Sequence, residues 1–150
     1  MKPGSVCRTP VTSTDFYPTF LEVAGLPLRP EQHVDGVSLL PLLEGADELE
    51  REAIFWHYPH YANQGGRPAS SLRAGDWKLI EHFEDGRLEL FNLREDEGEG
   101  RDLAASEPER TRRLHGLLTD WRREVEALIP RPNPNYVAPS PPAGVDAAEV

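Results

Sequence analysis

Apolar positions near the start of the chain recur at helical spacing, then give way to alternation. In "STDFYPTFLEVA", residues 13–24, Phe16, Phe20, Leu21, Val23 and Ala24 supply one apolar side of a predicted helix. Ser13 or Thr14 can cap it, and Asp15 suits its positive end. Pro18 is tolerable only in the first turn, and Gly25 can stop the helix. Residues 26–37 read as irregular, with Pro27, Pro30 and the turn signal Asp35-Gly36. "SLLPLLEG", 38–45, predicts a short helix from Ser38 to Gly45, and 46–52 form a charged connector.

Alternation takes over at Ala53–Tyr58 and continues through Ser71–Ala74, Trp77–Phe83 and Leu88–Leu93. Gly75-Asp76 separates one pair of runs and Glu84-Asp85-Gly86-Arg87 the next, which predicts an antiparallel meander. Trp77, Leu79, Glu81 and Phe83 fall on one face, with Lys78, Ile80 and His82 opposite. Leu88, Leu90 and Asn92 oppose Glu89, Phe91 and Leu93. Neither strand is cleanly apolar on one side, so both faces of the sheet are expected to be partly covered.

After an acidic loop, 94–105, "SEPE" at 106–109 reads as a capping box, with Pro108 in the first turn. Leu114, Leu117, Leu118, Trp121, Val125 and Leu128 then repeat at helical spacing to about residue 128. That amphipathic helix needs an apolar partner, and the sheet is the one available. From Pro130 the chain is proline-rich and without period, an extended tail. The fold expected is α+β: the end of an α/β domain over 1–50, an antiparallel sheet packed by a C-terminal helix over 51–129, and the tail over 130–150.

A chain of 150 residues can bury roughly 70% of its unfolded surface, enough for a core. Its net charge of −10 repels phosphate, which argues against nucleic-acid partners and anionic membranes. A lone Cys7 excludes an internal disulfide and a thiolate-built zinc site. No apolar run is long enough to span a membrane, and the first residues do not have the pattern of a signal peptide.

"FWHYPHY", 55–61, is the densest chemistry in the chain. His57 and His60 would share a face on a helix, but Pro59 and the β-prone neighbours argue for a strand. There, residues three apart point to opposite sides, and no third ligand at zinc spacing follows. Packing or hydrogen bonding is the first reading of these histidines. A substrate-lining role with the loop bearing Gly65, Gly66 and Arg67 is the second, and metal ligation the last. Cys7 lacks a neighbouring histidine that would make it a nucleophile. "DEGEGRD" puts Gly98 and Gly100 where a calcium loop needs oxygen ligands. Asp85 with Glu89, or Glu81 with His82, are carboxylate and imidazole pairings ordinary for turns and strands. Lys78 reads as an outward strand lysine. No nucleophile elbow, phosphate loop or dinucleotide fingerprint is present.

The order of phrases adds a resemblance. "PVTSTDFYPTFLEVAGL" followed by "DGVSLLPLLEG" resembles the late part of the sulfatase catalytic domain. "IFWHYPHY" and "SLRAGDWKLIEHFEDGRLELFNLREDEGEGRDLA" resemble the sulfatase C-terminal subdomain, over about residues 3–136 in all. Asp102 stands where asparagine is common. The resemblance implies a type I sulfatase of the alkaline-phosphatase-like superfamily, hydrolysing sulfate esters, often of sugars, with a formylglycine nucleophile and calcium.

The formylglycine signature, C/S-x-P-x-R, is not matched. Cys7-Arg8-Thr9-Pro10 puts proline one place late and has no arginine two residues after it. No catalytic residue and no metal ligand can therefore be carried over, and the expected partner is a missing N-terminal sulfatase domain. The implied parent is exported, and its substrate a sulfated small molecule or glycan. His57, His60 and Arg67 are the expected cleft-rim residues, and the 13–24 helix is expected to expose an apolar stripe. A stand-alone glycan-binding or protein-interaction module is the alternative.

Overall fold

Ser13–Asp15 form a single 3-10 turn that runs straight into α1, Phe16–Val23. The computed structural model describes residues 3–137. Pro18 lies in the first turn of α1 and is buried with Thr19, whose hydroxyl donates to the Asp15 carbonyl at 2.6 Å and accepts the Leu39 N–H at 2.8 Å. Gly25 ends the helix with a left-handed backbone, and Leu26 N–H closes on the Leu21 carbonyl. The outer side of α1 is bare: Phe16 is 50% exposed, Phe20 67% and Val23 62%. This is the predicted apolar stripe.

Helix α2 spans Leu40–Glu44 and ends at the left-handed Gly45. It starts two residues later than its sequence suggested, because the Ser38 hydroxyl accepts the Leu40 N–H and so precedes the first turn. Between the helices, Gly36 lies so close to the turn before α1 that any Cβ there would overlap the Thr14 carbonyl oxygen.

The alternating runs are β1, Ile54–Tyr58; β2, Ala69–Ala74; β3, Trp77–His82; and β4, Leu88–Asn92. They form one antiparallel meander in the order β1-β2-β3-β4, with Phe55 opposite Leu72, Leu72 opposite Leu79, and Leu79 opposite Leu90. That register puts Leu72, Leu79 and Leu90 in one row across the sheet, all fully buried. Leu114 and Leu118 of α3, Pro108–Glu124, close over the row and are also fully buried. Each such leucine contributes about 1.5–3 kcal/mol of burial, so this layer is the core of the molecule. The opposite face is partly covered too, with Phe91 only 5% exposed.

Two expectations about α3 also fail. Ser106 does not cap α3; its hydroxyl donates to the Leu103 carbonyl, and Glu107 takes the cap position ahead of Pro108. The helix also stops before Leu128. Glu126 adopts a left-handed φ of 52°, while Glu126 and Ala127 N–H groups return to the Arg123 and Arg122 carbonyls. This is a Schellman closure, and it throws Leu128 out of the apolar row to 84% exposure. The tail expected over 130–150 is described only to 137, where it has a turn closed from Tyr136 N–H to the Asn133 carbonyl and no regular element. Residues 138–150 lie outside the described residues.

Candidate functional site

Alternation along β1 sends Phe55 and His57 toward α3, and Trp56 and Tyr58 to the other face. Phe55 stacks on Trp121 with ring centres 4.8 Å apart. Trp56 is 45% exposed, and Ile54 is the buried residue of that face.

His57 is engaged at both ring nitrogens. Nδ1 lies 2.6 Å from the Ser70 hydroxyl and Nε2 3.0 Å from the Leu128 carbonyl. A carbonyl only accepts, so Nε2 carries a proton, while the Ser70 hydroxyl can donate to Nδ1 or accept from it. Its edge meets Phe83 at 5.6 Å. His60, beyond Pro59, is exposed and meets the Tyr58 ring edge-on at 5.5 Å. The two histidines therefore do not converge.

The loop between β1 and β2 turns at Gly65, which is left-handed, with Gly65 N–H on the Ala62 carbonyl and Ala62 N–H on the Gly66 carbonyl. Its end is fixed by Phe83 N–H on the Pro68 carbonyl. Arg67 is 65% exposed, with Nε 3.5 Å from Glu84. Tyr61 donates to the same carboxylate at 2.8 Å, and that bond raises the phenol above its ordinary pKa. Tyr61 and Arg67 of this loop thus meet Glu84 of the β3–β4 turn.

Beneath the loop, Glu81 Oε2 accepts from His115 Nε2 at 2.9 Å and from Arg122 Nη2 at 2.6 Å, both from α3. Arg122 also covers the Phe83 ring, 5.4 Å from its centre. Glu81 and His82 point to opposite faces and do not pair. His82 instead meets Glu89 across the hairpin at 2.7 Å. Burial raises the Glu89 carboxyl, but hydrogen bonds from His82 and Arg87 outweigh it and hold the group below its usual range. Lys78 is not free on the surface; Nζ lies 2.6 and 2.7 Å from the two Glu99 oxygens.

A buried charge passed unnoticed in the sequence. Asp15 is fully buried, and its Oδ1 accepts from Val37 N–H at 3.1 Å and Arg51 Nη1 at 2.6 Å. Oδ2 accepts from Thr12 N–H at 2.8 Å and Arg51 Nη2 at 3.1 Å. Arg51 also donates to the Pro10 carbonyl. This bidentate clasp joins the 3-10 turn before α1 to the connector entering β1. Its one signal in the sequence is a single arginine in the acidic connector "DELERE".

The family model for "N-sulphoglucosamine sulphohydrolase, C-terminal" matches residues 1–124. The chain belongs to the sulfatase family. It is similar to a sulfatase of Formosa agariphila, 37% identical over 116 residues, covering 71% of this chain and 21% of that protein. It is also similar to human arylsulfatase K, 31% identical, covering 79% of this chain and 24% of that one. Among solved structures, BT4656 in complex with its substrate D-glucosamine-2-N,6-O-disulfate superimposes with a TM-score of 0.64 at 28% identity, over 75% of this chain and 24% of that one.

The chain spans about a fifth to a quarter of the length of such relatives, and corresponds to the C-terminal portion of a sulfatase. The four-stranded sheet and its helix are the sulfatase C-terminal subdomain. Asp102 accepts the Leu90 and Ala104 N–H groups through Oδ1, a role an asparagine side-chain oxygen can also fill. No helix among the described residues is long and apolar enough to cross a membrane.

Family membership implies formylglycine and calcium for a complete enzyme, and the residues here fit neither. Cys7 is exposed and its sequence does not match the signature; its hydrogen bond with Thr9 lowers the thiol pKa. Among the described residues no three His, Cys, Asp or Glu side chains are grouped to hold a metal ion. Two carboxylates of the 94–102 loop are engaged within the chain, Glu99 by Lys78 and Asp96 by the Arg101 N–H, while Glu95 and Glu97 are exposed.

Proposed function

We propose that the chain works as the C-terminal part of a sulfuric ester hydrolase acting on a sulfated carbohydrate or aryl sulfate. The nucleophile and metal would come from an N-terminal portion. The observation that carries this reading is the uncovered side of α1, where Phe16, Phe20 and Val23 stand in solvent beside an otherwise complete sheet-and-helix layer. Large apolar groups on a helix are stable where another layer covers them. The same reading divides the chain into 1–50, belonging with the catalytic domain, and 51–129, the subdomain; its complete form is exported.

In the assembled enzyme, His60 and Arg67 stand on the rim of the substrate cleft and select the group attached to the sulfate. His57 positions that rim from behind, through Ser70 and the Leu128 carbonyl. No proton-transfer or nucleophilic step is assigned to these residues. The alternative, a stand-alone glycan-binding or interaction module, needs a surface complete by itself, and the bare α1 stripe speaks against that.

The test is turnover of a chromogenic aryl sulfate by the purified 150-residue chain with calcium present. The expected rate equals that of a mock preparation; turnover above it overturns the proposal.

A further inference from the structure

The two edges of the sheet are treated differently. At β4, Leu90 N–H is held by Asp102 at 3.0 Å and the Leu90 carbonyl accepts Leu103 N–H at 2.7 Å, so the outer edge is closed by the following loop. At β1, the backbone pairs with β2 alone; among the described residues nothing hydrogen-bonds to the outer side of Ile54–Tyr58. An unpaired strand edge is a template for another strand, and folded proteins ordinarily block it.

Here the open edge lines a groove of about 440 Å³, walled by Ser13 and Thr14 before α1, Val34, Asp35 and Glu50. Trp56 and Trp121 also line it, and Trp121 Nε1 fixes Asp35 at 3.2 Å. Arg51 lines it too, but its charge is already met by Asp15. Backbone donors and acceptors along one wall, indole surfaces beside them and the two remaining carboxylates suit an extended peptide carrying a cationic side chain.

We propose that the β1 edge is a strand-addition site, filled by an extended Lys- or Arg-bearing segment of the N-terminal portion of the enzyme. Two observations select that occupant. Relatives are four to five times longer than their matched region, and the match is to a C-terminal family region, so in those relatives most of the additional polypeptide lies N-terminal to the matched region. The groove also shares Ser13 and Thr14 with the start of α1, so a body covering the apolar stripe reaches the open edge as well. A second copy of this acidic chain is disfavoured by charge, since Asp35 and Glu50 would meet their own counterparts. The inference rests on the reading of the chain as part of a larger sulfatase.

Amide hydrogen exchange on the intact 150-residue chain tests it, in two arms. In the first, the part of the Formosa agariphila sulfatase that precedes its matched region is added in trans. Exchange in Ile54–Tyr58 is expected to slow by about tenfold or more, together with slowing in Phe16–Val23, while Leu90 is unchanged. Slowing in α1 without β1 overturns the edge site and leaves the larger-enzyme reading standing; slowing in neither region counts against both. The second arm needs no folded partner. The hexapeptide acetyl-Lys-Val-Lys-Val-Lys-Val-amide is expected to slow the same β1 amides at low salt. The Glu-for-Lys peptide is expected not to do so, and Asp35→Asn with Glu50→Gln should remove the effect. Equal action of both peptides, or no protection by either, overturns the proposal.

Discussion

Residues 9–52 and residues 53–124 are built on opposite plans. The second region is an ordinary half-layer sandwich: Leu72, Leu79, Leu90, Leu114 and Leu118 inside, charges outside. The first puts a carboxylate at its centre, Asp15, clamped by Arg51 and two backbone N–H groups, and leaves Phe16, Phe20 and Val23 facing water. A region with its charge inside and its rings outside is organised for an additional covering surface. The sheet region is complete toward α3, whereas the α1 region has only one of its faces covered.

The comparison breaks most visibly at the clasp. Asp15→Ala leaves Arg51 buried without its partner, and a loss of about 3–5 kcal/mol is expected in urea unfolding of the chain. A loss below one kilocalorie would mean the clasp is not the centre of its region. Leu79→Ala should cost about 2–5 kcal/mol by the same measurement, through the cavity left between β2, β4 and α3. If Leu79→Ala proved silent while Asp15→Ala unfolded the chain, the sheet layer would not be the principal core.

Smaller effects sharpen the contrast. Glu81→Gln keeps the shape but removes the charge that binds His115 and Arg122, and about 1–3 kcal/mol should be lost. A double-mutant cycle with Arg122→Met checks that the loss belongs to that pair. The hairpin carries the pH dependence. The Glu89 carboxyl is depressed in the folded state, so its contribution is present above the ordinary carboxylate pKa and fades as pH falls through the folded value. In Glu89→Gln the acid limb of a stability–pH curve should flatten; an unchanged limb would assign it elsewhere. Last, Phe20→Ser should leave stability nearly untouched while lowering self-association in sedimentation, because 67% of that side chain is already in water.

Much of this was legible in the sequence, for local reasons. Strand alternation, Gly75-Asp76 and the leucine period of α3 each act within a few residues, and the elements fall within a few positions of expectation. The face assignment along Trp77–Phe83 holds because Leu79 and Glu81 both meet α3. What escaped is long-range. Asp15 read as an acid suited to a helix start, because its partner lies 36 residues on in a connector that looked merely charged. Leu128 kept the helical period but lost the helix to a left-handed Glu126, and only then could its carbonyl reach His57, 71 residues back. For the proposed rim residues, the sequence placed His57, His60 and Arg67 in or beside one loop; which of them faces solvent depended on the register with β2.

The approach of Gly36 to the turn before α1 limits what the sequence can become. Its backbone angle is one that other residues adopt, yet a methyl group there would drive into the Thr14 carbonyl, one residue from Asp15. Gly25 and Gly45 have open space around an added Cβ, so a side chain there meets no clash but carries the strain of a left-handed backbone, which asparagine bears best. In a saturation library selected for folded chains, those two positions would admit asparagine ahead of other replacements, while position 36 remained a single letter.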